Sequence, residues 1–295
     1  MAYLKPENPE RITVPMVRGY KERGEKLVCL TAYDYPTARI VDEAGVDLIL
    51  VGDSVANTTL GYGNTVPVTL DEMVVHTKAV RRAVRRALLI ADLPFGSYHT
   101  GADDAVRSAL RLVKEGGAEA VKLEGGRNRA ALVKRLVDED IPVCGHIGLM
   151  PQAFNKLGGF RVQGKTSAAA RTVIDDALAL QEAGAFALVL ELIPRELARH
   201  ITEKLDIPTI GIGAGADCDI QVLVIHDLIG LSFGQLPRFV RQYANVREIM
   251  TDAIMRFAAD VRAGDYPAHA ESYSLPAATA QELAIPSAGR TPANS

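Results

Sequence analysis

The sequence predicts a closed (β/α)8 TIM barrel forming a single domain. Eight short apolar runs are spread along the chain, and amphipathic stretches separate them. The length of 295 residues, 48% of them hydrophobic, is enough for one large core. Near-continuous apolar runs read as parallel strands buried on both faces, and the stretches between them read as the helices that cover those faces. Eight such units suggest closure into a barrel. An open doubly wound sheet is the alternative arrangement of the same units.

In chain order, Pro15 to Lys26 is read as a helix closing the bottom of the barrel. The strand segments follow as LVCLTAYD, VDLILVGDS, ALLIADLPF, EAVKLEGG, VCGHIGL, FALVLELIP, TIGIGAG and QVLVIHDLIG. Several are preceded by the same small-residue or proline punctuation: DEAG, KEGGA, DEDIP, QEAGA and EKLDIP. Between strands, Asp103 to Glu115 carries Val106, Leu110 and Val113 at helical spacing behind a Thr100-x-x-Asp103 capping box. Pro194 to Leu205 repeats the pattern with Leu197, Ile201 and Leu205. From about Ser272 the chain is rich in Ala, Pro and Ser and has no core pattern. The barrel is therefore assigned to 11–271, and 272–295 to a mobile tail or an arm on a neighbouring subunit.

The net charge of −3 offers no broad basic field for a phosphate backbone, which argues against nucleic acid as a partner. The longest apolar runs, such as Ala87 to Ala91 and Phe186 to Leu190, fall far short of the roughly 20 residues of a membrane helix. The first residues contain Glu7 and Glu10 and no apolar core of a signal peptide, so a cytoplasmic protein is expected. Cys29, Cys144 and Cys218 are odd in number and lie in or beside apolar runs, which points to buried reduced thiols.

Active sites of such barrels lie at the C-terminal rim of the strands, so polar residues ending apolar runs are informative. Asp53 and Ser54 end LILVGDS, Asp92 follows LLIA, Lys122 and Glu124 end AVKLE, His146 lies in VCGHIG and Glu191 interrupts LVLELIP. A hard cation such as Mg²⁺ takes oxygen ligands, and Asp53, Asp92 and Glu124 from consecutive strands meet that demand. An isolated strand-end Asp reads first as a cap for the next helix, and three carboxylates on consecutive strands weaken that reading without removing it. Lys122 and Glu124, two apart in a strand, share one face. The apolar surroundings of Glu191 would raise its pKa toward the range of a general base, while pairing with a neighbouring strand is the structural alternative. His146 fits a hydrogen-bonded core histidine as well as a pocket residue. The Gly211 to Gly215 turn, GIGAG, lacks the spacing of a dinucleotide or P-loop site and reads as close backbone packing.

Taken in order, GDS, LGYGNTVPVT, ADLPF, VKLEGG, VCGHIGLMPQ, GGFRVQGK, VLELIP, IGIGAG and HDLIG resemble the signatures of the ketopantoate hydroxymethyltransferase family, from about Arg11 to Pro267. The resemblance implies transfer of a one-carbon unit from 5,10-methylenetetrahydrofolate to 3-methyl-2-oxobutanoate through a Mg²⁺-stabilised enolate. By the same resemblance Asp53 and Asp92 are metal ligands that also meet the substrate, Glu124 is a third metal-site carboxylate, and Ser54, Lys122 and His146 are substrate contacts. Glu191 is the implied base, and a homo-oligomer, commonly a decamer, the implied assembly. A phosphoenolpyruvate-type lyase or mutase, a Lys122 Schiff-base aldolase and a non-catalytic keto-acid sensor are the competing readings.

Overall fold

The alternation of side chains along a strand divides each of the eight apolar runs into an inward and an outward set. A computed structural model describes residues 11–159 and 161–286. Its strands are β1 (Leu27–Thr31), β2 (Leu48–Val51), β3 (Leu88–Asp92), β4 (Ala120–Glu124), β5 (Val143–Gly148), β6 (Ala187–Glu191), β7 (Thr209–Ile212) and β8 (Ile220–Leu223). All pair in parallel with their neighbours in sequence, and β8 returns to β1, closing the barrel. The closed sheet, not the open one, is the arrangement formed.

The helices are α1 (Val14–Glu22), α2 (Tyr35–Glu43), α3 (Val55–Thr58), α4 (Leu70–Ala83), α5 (Ala102–Leu110) and α6 (Arg127–Asp138), followed by α7 (Phe154–Leu157), α8 (Ser167–Glu182), α9 (Arg195–Lys204) and α10 (Ile225–Leu228). Local chemistry sets their starts: Asp34 accepts from Thr37 N–H at α2, and Thr69 and Glu72 form a reciprocal capping box at α4. Two expected boundaries move. The first helix stops at Glu22, because Gly24 takes a left-handed φ of +68°. Gly101, not Thr100, is the N-cap of α5, so the Thr100 hydroxyl donates to Asp104 instead, at 2.7 Å. The helix that α5 begins continues through a π turn at Arg111–Glu115.

Two apolar layers result. Inside the barrel, Leu27, Cys29, Leu48, Leu88, Ile90, Ala120, Cys144, Ala187, Val189, Ile210, Ile220 and Val222 pack with Ile12 and with Val17 of α1, which closes the bottom. The outward set, including Ile49, Val51, Leu89, Ala91, Val121, Leu123, Leu188 and Leu190, packs under the helices. All three cysteines are free and buried.

The chain divides into two compact units, the first ending at Ala244 and the second starting at Asn245. The second contains α11 (Val246–Ala263) and α12 (Ala277–Glu282). Of the assigned tail, 287–295 lies outside the described residues. Among the described residues no helix is long and apolar enough to cross a membrane.

Candidate active site

Because inward positions alternate, the residues above the apolar plug are Asp92 on β3, Lys122 and Glu124 on β4, His146 on β5 and Glu191 on β6. Strand register lines them up: Asp92 is level with Lys122, Glu124 with His146, and Gly148 with Glu191. Asp53 lies two residues past β2, and its backbone N–H donates to Asp92 Oδ2 at 2.9 Å. Ser54 begins α3 and bonds the Tyr33 hydroxyl at 2.7 Å. The structure therefore brings all seven sequence-derived candidates to one end of the barrel.

Lys122 Nζ is the hub. It stands 3.2 Å from Asp92 Oδ1 and 3.1 Å from His146 Nδ1. An ammonium only donates, so Nδ1 accepts and the proton of the neutral imidazole resides on Nε2. Nε2 lies 3.2 Å from Glu191 Oε2, close enough for attraction but not aligned as a hydrogen bond. Burial, reinforced by the Lys122 charge, holds the His146 pKa well below its ordinary value.

Sequence reasoning did not single out Gln152, which follows β5 in a short 3₁₀ turn. Its Nε2 donates to Asp53 Oδ2 at 2.8 Å and to the Leu93 carbonyl at 3.0 Å, and its backbone N–H donates to Glu124 Oε2 at 3.1 Å. The Tyr98 hydroxyl donates to its Oε1 at 2.5 Å. Gln152 thus ties the carboxylate of β4 to the one that follows β2. It has no charge to titrate and lies beyond the strand, so only its place in the MPQ segment could have drawn attention to it.

Charge is the dominant feature of the site. Asp53, Asp92, Lys122, Glu124 and His146 are only 2–4% exposed, whereas the Glu191 side chain keeps 14% of its surface. Burial raises the pKa of every carboxyl in the group: Asp53 upward, Asp92 to about 7, Glu124 well above the ordinary range and Glu191 to about 7. Burial alone would lower Lys122, but Asp92, Glu124 and Asp53 outweigh it and hold the ammonium charged. Four carboxyls thus share one permanent cation.

Asp92 Oδ1 and Glu124 Oε1 are buried without an aligned hydrogen bond. Glu124 Oε1 thus lacks a hydrogen bond and Asp92 Oδ1 meets only the Lys122 ammonium, and carboxylate oxygens in such an excess of negative charge are donors a hard cation takes. Among the described residues no group of three or more His, Cys, Asp or Glu side chains is arranged to hold a metal ion by itself. Mg²⁺ makes no such demand, since it keeps several waters and binds through one or two carboxylates plus substrate. The buried carboxylates of Asp53, Asp92 and Glu124 supply oxygen donors of the type such an ion takes.

The turn Gly211 to Gly215 ends β7 in close contact with its surroundings, consistent with a packing role: a Cβ at Gly215 would lie 2.5 Å from that of Arg195.

A closed parallel barrel with a buried ionisable cluster at the C-terminal ends of its strands is the layout of a TIM-barrel enzyme. The profile of the ketopantoate hydroxymethyltransferase family matches residues 11–269, and the chain belongs to that family. It is 57% identical over 266 residues to 3-methyl-2-oxobutanoate hydroxymethyltransferase of Koribacter versatilis (strain Ellin345), covering 90% of each chain. It is 55% identical to the Moorella thermoacetica (strain ATCC 39073 / JCM 9320) protein of the same name, over 89% of this chain and 98% of that one. Among solved structures, a phosphonopyruvate hydrolase complexed with oxalate and Mg²⁺ superposes with a TM-score of 0.56 at 14% identity, covering 88% of this chain and 93% of that one. A 2,3-dimethylmalate lyase does so with a TM-score of 0.55 at 14% identity, over 86% of each chain. These two likenesses concern the fold alone.

Proposed function

We propose that the chain transfers a hydroxymethyl group from 5,10-methylenetetrahydrofolate to 3-methyl-2-oxobutanoate, giving 2-dehydropantoate on the route to pantothenate and coenzyme A. Family membership supports the reaction. The observation that carries the mechanism is the rim cluster of four carboxyls against one ammonium, three of the carboxyls buried and the fourth, Glu191, raised to about 7.

Asp53 and Asp92 would hold Mg²⁺, with Glu124 reaching it through water. When bound there, the ion polarises the carbonyl of a keto acid and favours charge on its oxygen. Ser54 and Lys122 bind the substrate, Lys122 by facing its negative charge, and His146 keeps Lys122 and Glu191 in register. Glu191 removes the C3 proton, and the electron pair delocalises onto the keto oxygen as an enolate. The donor's methylene carbon takes up a water and its two C–N bonds break, releasing tetrahydrofolate; the C3 carbon bonds to that carbon, and the alkoxide so formed takes back the proton that Glu191 removed. One water supplies the hydroxyl oxygen of the product, since the donor carries its carbon at the oxidation level of formaldehyde. The charged Lys122, whose ammonium is shared by Asp92 and His146, is not the free amine that a Schiff base needs.

The protein acts in the cytoplasm as a homo-oligomer, a decamer by family resemblance. Incubating it with the keto acid, Mg²⁺ and methylenetetrahydrofolate, and measuring 2-dehydropantoate, tests the reading. Failure to form that product, with turnover of a phosphonate or a malate instead, would return the chain to the lyase or mutase alternative.

A further inference from the structure

We propose that the pocket formed by the segment after β3, the start of α6 and the turn after β5 holds the ring system of the one-carbon donor, a reduced pterin, with its anionic tail at Arg129 and Lys156. This inference rests on the folate-dependent transfer proposed above and assigns the donor a place.

The pocket encloses about 320 Å³, a size suited to a bicyclic ring but not to a whole folate. Glu124 and Gln152 belong both to its lining and to the carboxylate network, so it adjoins the cluster along one shared wall. A donor there and a keto acid at Asp53, Asp92 and Lys122 would be neighbours, as joining two carbons requires.

The rest of the lining matches a flat, polar-edged ring with negative charge beyond it. The His99 ring lies between those of Phe95 and Tyr98, tilted against both, with ring centroids 4.6 and 4.4 Å away. Phe95 remains 42% exposed, an aromatic face left open at the pocket. Burial and the Arg129 charge lower the His99 pKa, keeping its ring neutral near pH 7. The Arg129 guanidinium lies 5.0 Å over the Tyr98 ring. Its course is built into the backbone: Gly125 has φ +130°, and a Cβ there would sit 2.4 Å from Arg129 Cγ. The amides of Asn128 and Asn155 add hydrogen-bonding edges, and Lys156 adds a second cation. Phosphate and simple keto acids would use the cations but leave the aromatic wall idle.

Phe95→Ala and Arg129→Met test the assignment in the full-length protein. Two rates are measured: product formation against methylenetetrahydrofolate concentration, and donor-free exchange of the keto acid's C3 hydrogen with solvent. The expected result is a donor KM at least tenfold higher in each variant, with exchange within twofold of wild type. Calorimetric titration with tetrahydrofolate should show the same weakening. Unchanged donor KM and tetrahydrofolate affinity in both variants, with wild-type turnover intact, overturn the pocket assignment alone. A wild-type protein that exchanges C3 hydrogen but neither binds tetrahydrofolate nor uses the methylene donor overturns the folate reading and this inference together. If either variant fails to fold, Phe95→Leu and the exposed Lys156→Met take its place, read by the same criteria.

Discussion

Glu191 ends β6 with apolar neighbours along the strand and a side chain that keeps 14% of its surface exposed. Desolvation raises its pKa to about 7 from 4.5, with Lys122 pulling the other way. To act as the proposed base it must be ionised, so donor-free C3 exchange should rise tenfold per pH unit below about 7 and level off above it. A rate flat from pH 5 to 8 would contradict this. Glu191→Gln should slow exchange and product formation by about 10² or more while keto-acid binding changes little. The same shift bears on stability with a defined sign. Below about pH 4 both the folded and unfolded forms are protonated; above that the unfolded chain ionises first, so this group makes stability fall as pH rises to 7. Denaturant titrations should therefore show Glu191→Gln gaining on wild type between pH 5 and 8.

At the scale of elements, the ends of β5 and β6 form one joint. Leu149 N–H donates to the Glu191 carbonyl at 2.8 Å, directly after Gly148 at φ +94°. A Cβ on Gly148 would lie 2.2 Å from that carbonyl oxygen. Backbone cannot move aside as a flexible side chain can, so Gly148→Ala should cost about 2 kcal/mol or more and misplace Glu191. Equilibrium unfolding reads the first effect and C3 exchange the second; an alanine variant as stable and active as wild type would refute both. Leu192, next after Glu191, also holds a left-handed φ of +47°, fixed by hydrogen bonds to the Ile212 and Gln163 backbones. The neighbourhood of the proposed base is thus set by backbone geometry on both sides.

For the whole molecule, a metal ion held at the proposed rim site would link binding to folding. Mg²⁺ at a hundredfold excess over its Kd should stabilise the native state by about 2.7 kcal/mol, seen as a raised melting temperature. Asp92→Ala should lose that increment and metal-dependent turnover while keeping the fold, because it removes a proposed ligand and not core volume. Wild-type activity of the variant at limiting Mg²⁺ would remove Asp92 from the site. In the second unit, α11 has no buried residue and leaves Ile249, Ile254, Met255 and Phe257 more than half exposed. So much open apolar surface on one helix motivates the homo-oligomer, which light scattering should find; a monomer at micromolar concentration would refute it.

The eight strands were legible in the sequence because apolar runs between amphipathic helices have a single period and clear punctuation. So were Asp92, Lys122, Glu124, His146 and Glu191, since a polar side chain interrupting an inward apolar row must surface at the rim or be paired within it. Periodicity could not reveal what happens beyond the strand ends. Asp53 meets Asp92, and Gln152 bridges Asp53 to Glu124 across 99 and 28 residues of chain, only because the closed barrel brings those loops together. The sequence by itself determined which residues could carry the chemistry and which way they face. Tertiary structure alone decided that four carboxyls share one ammonium and that an aromatic pocket adjoins them, because desolvation and charge coupling depend on distances in space that local sequence does not encode.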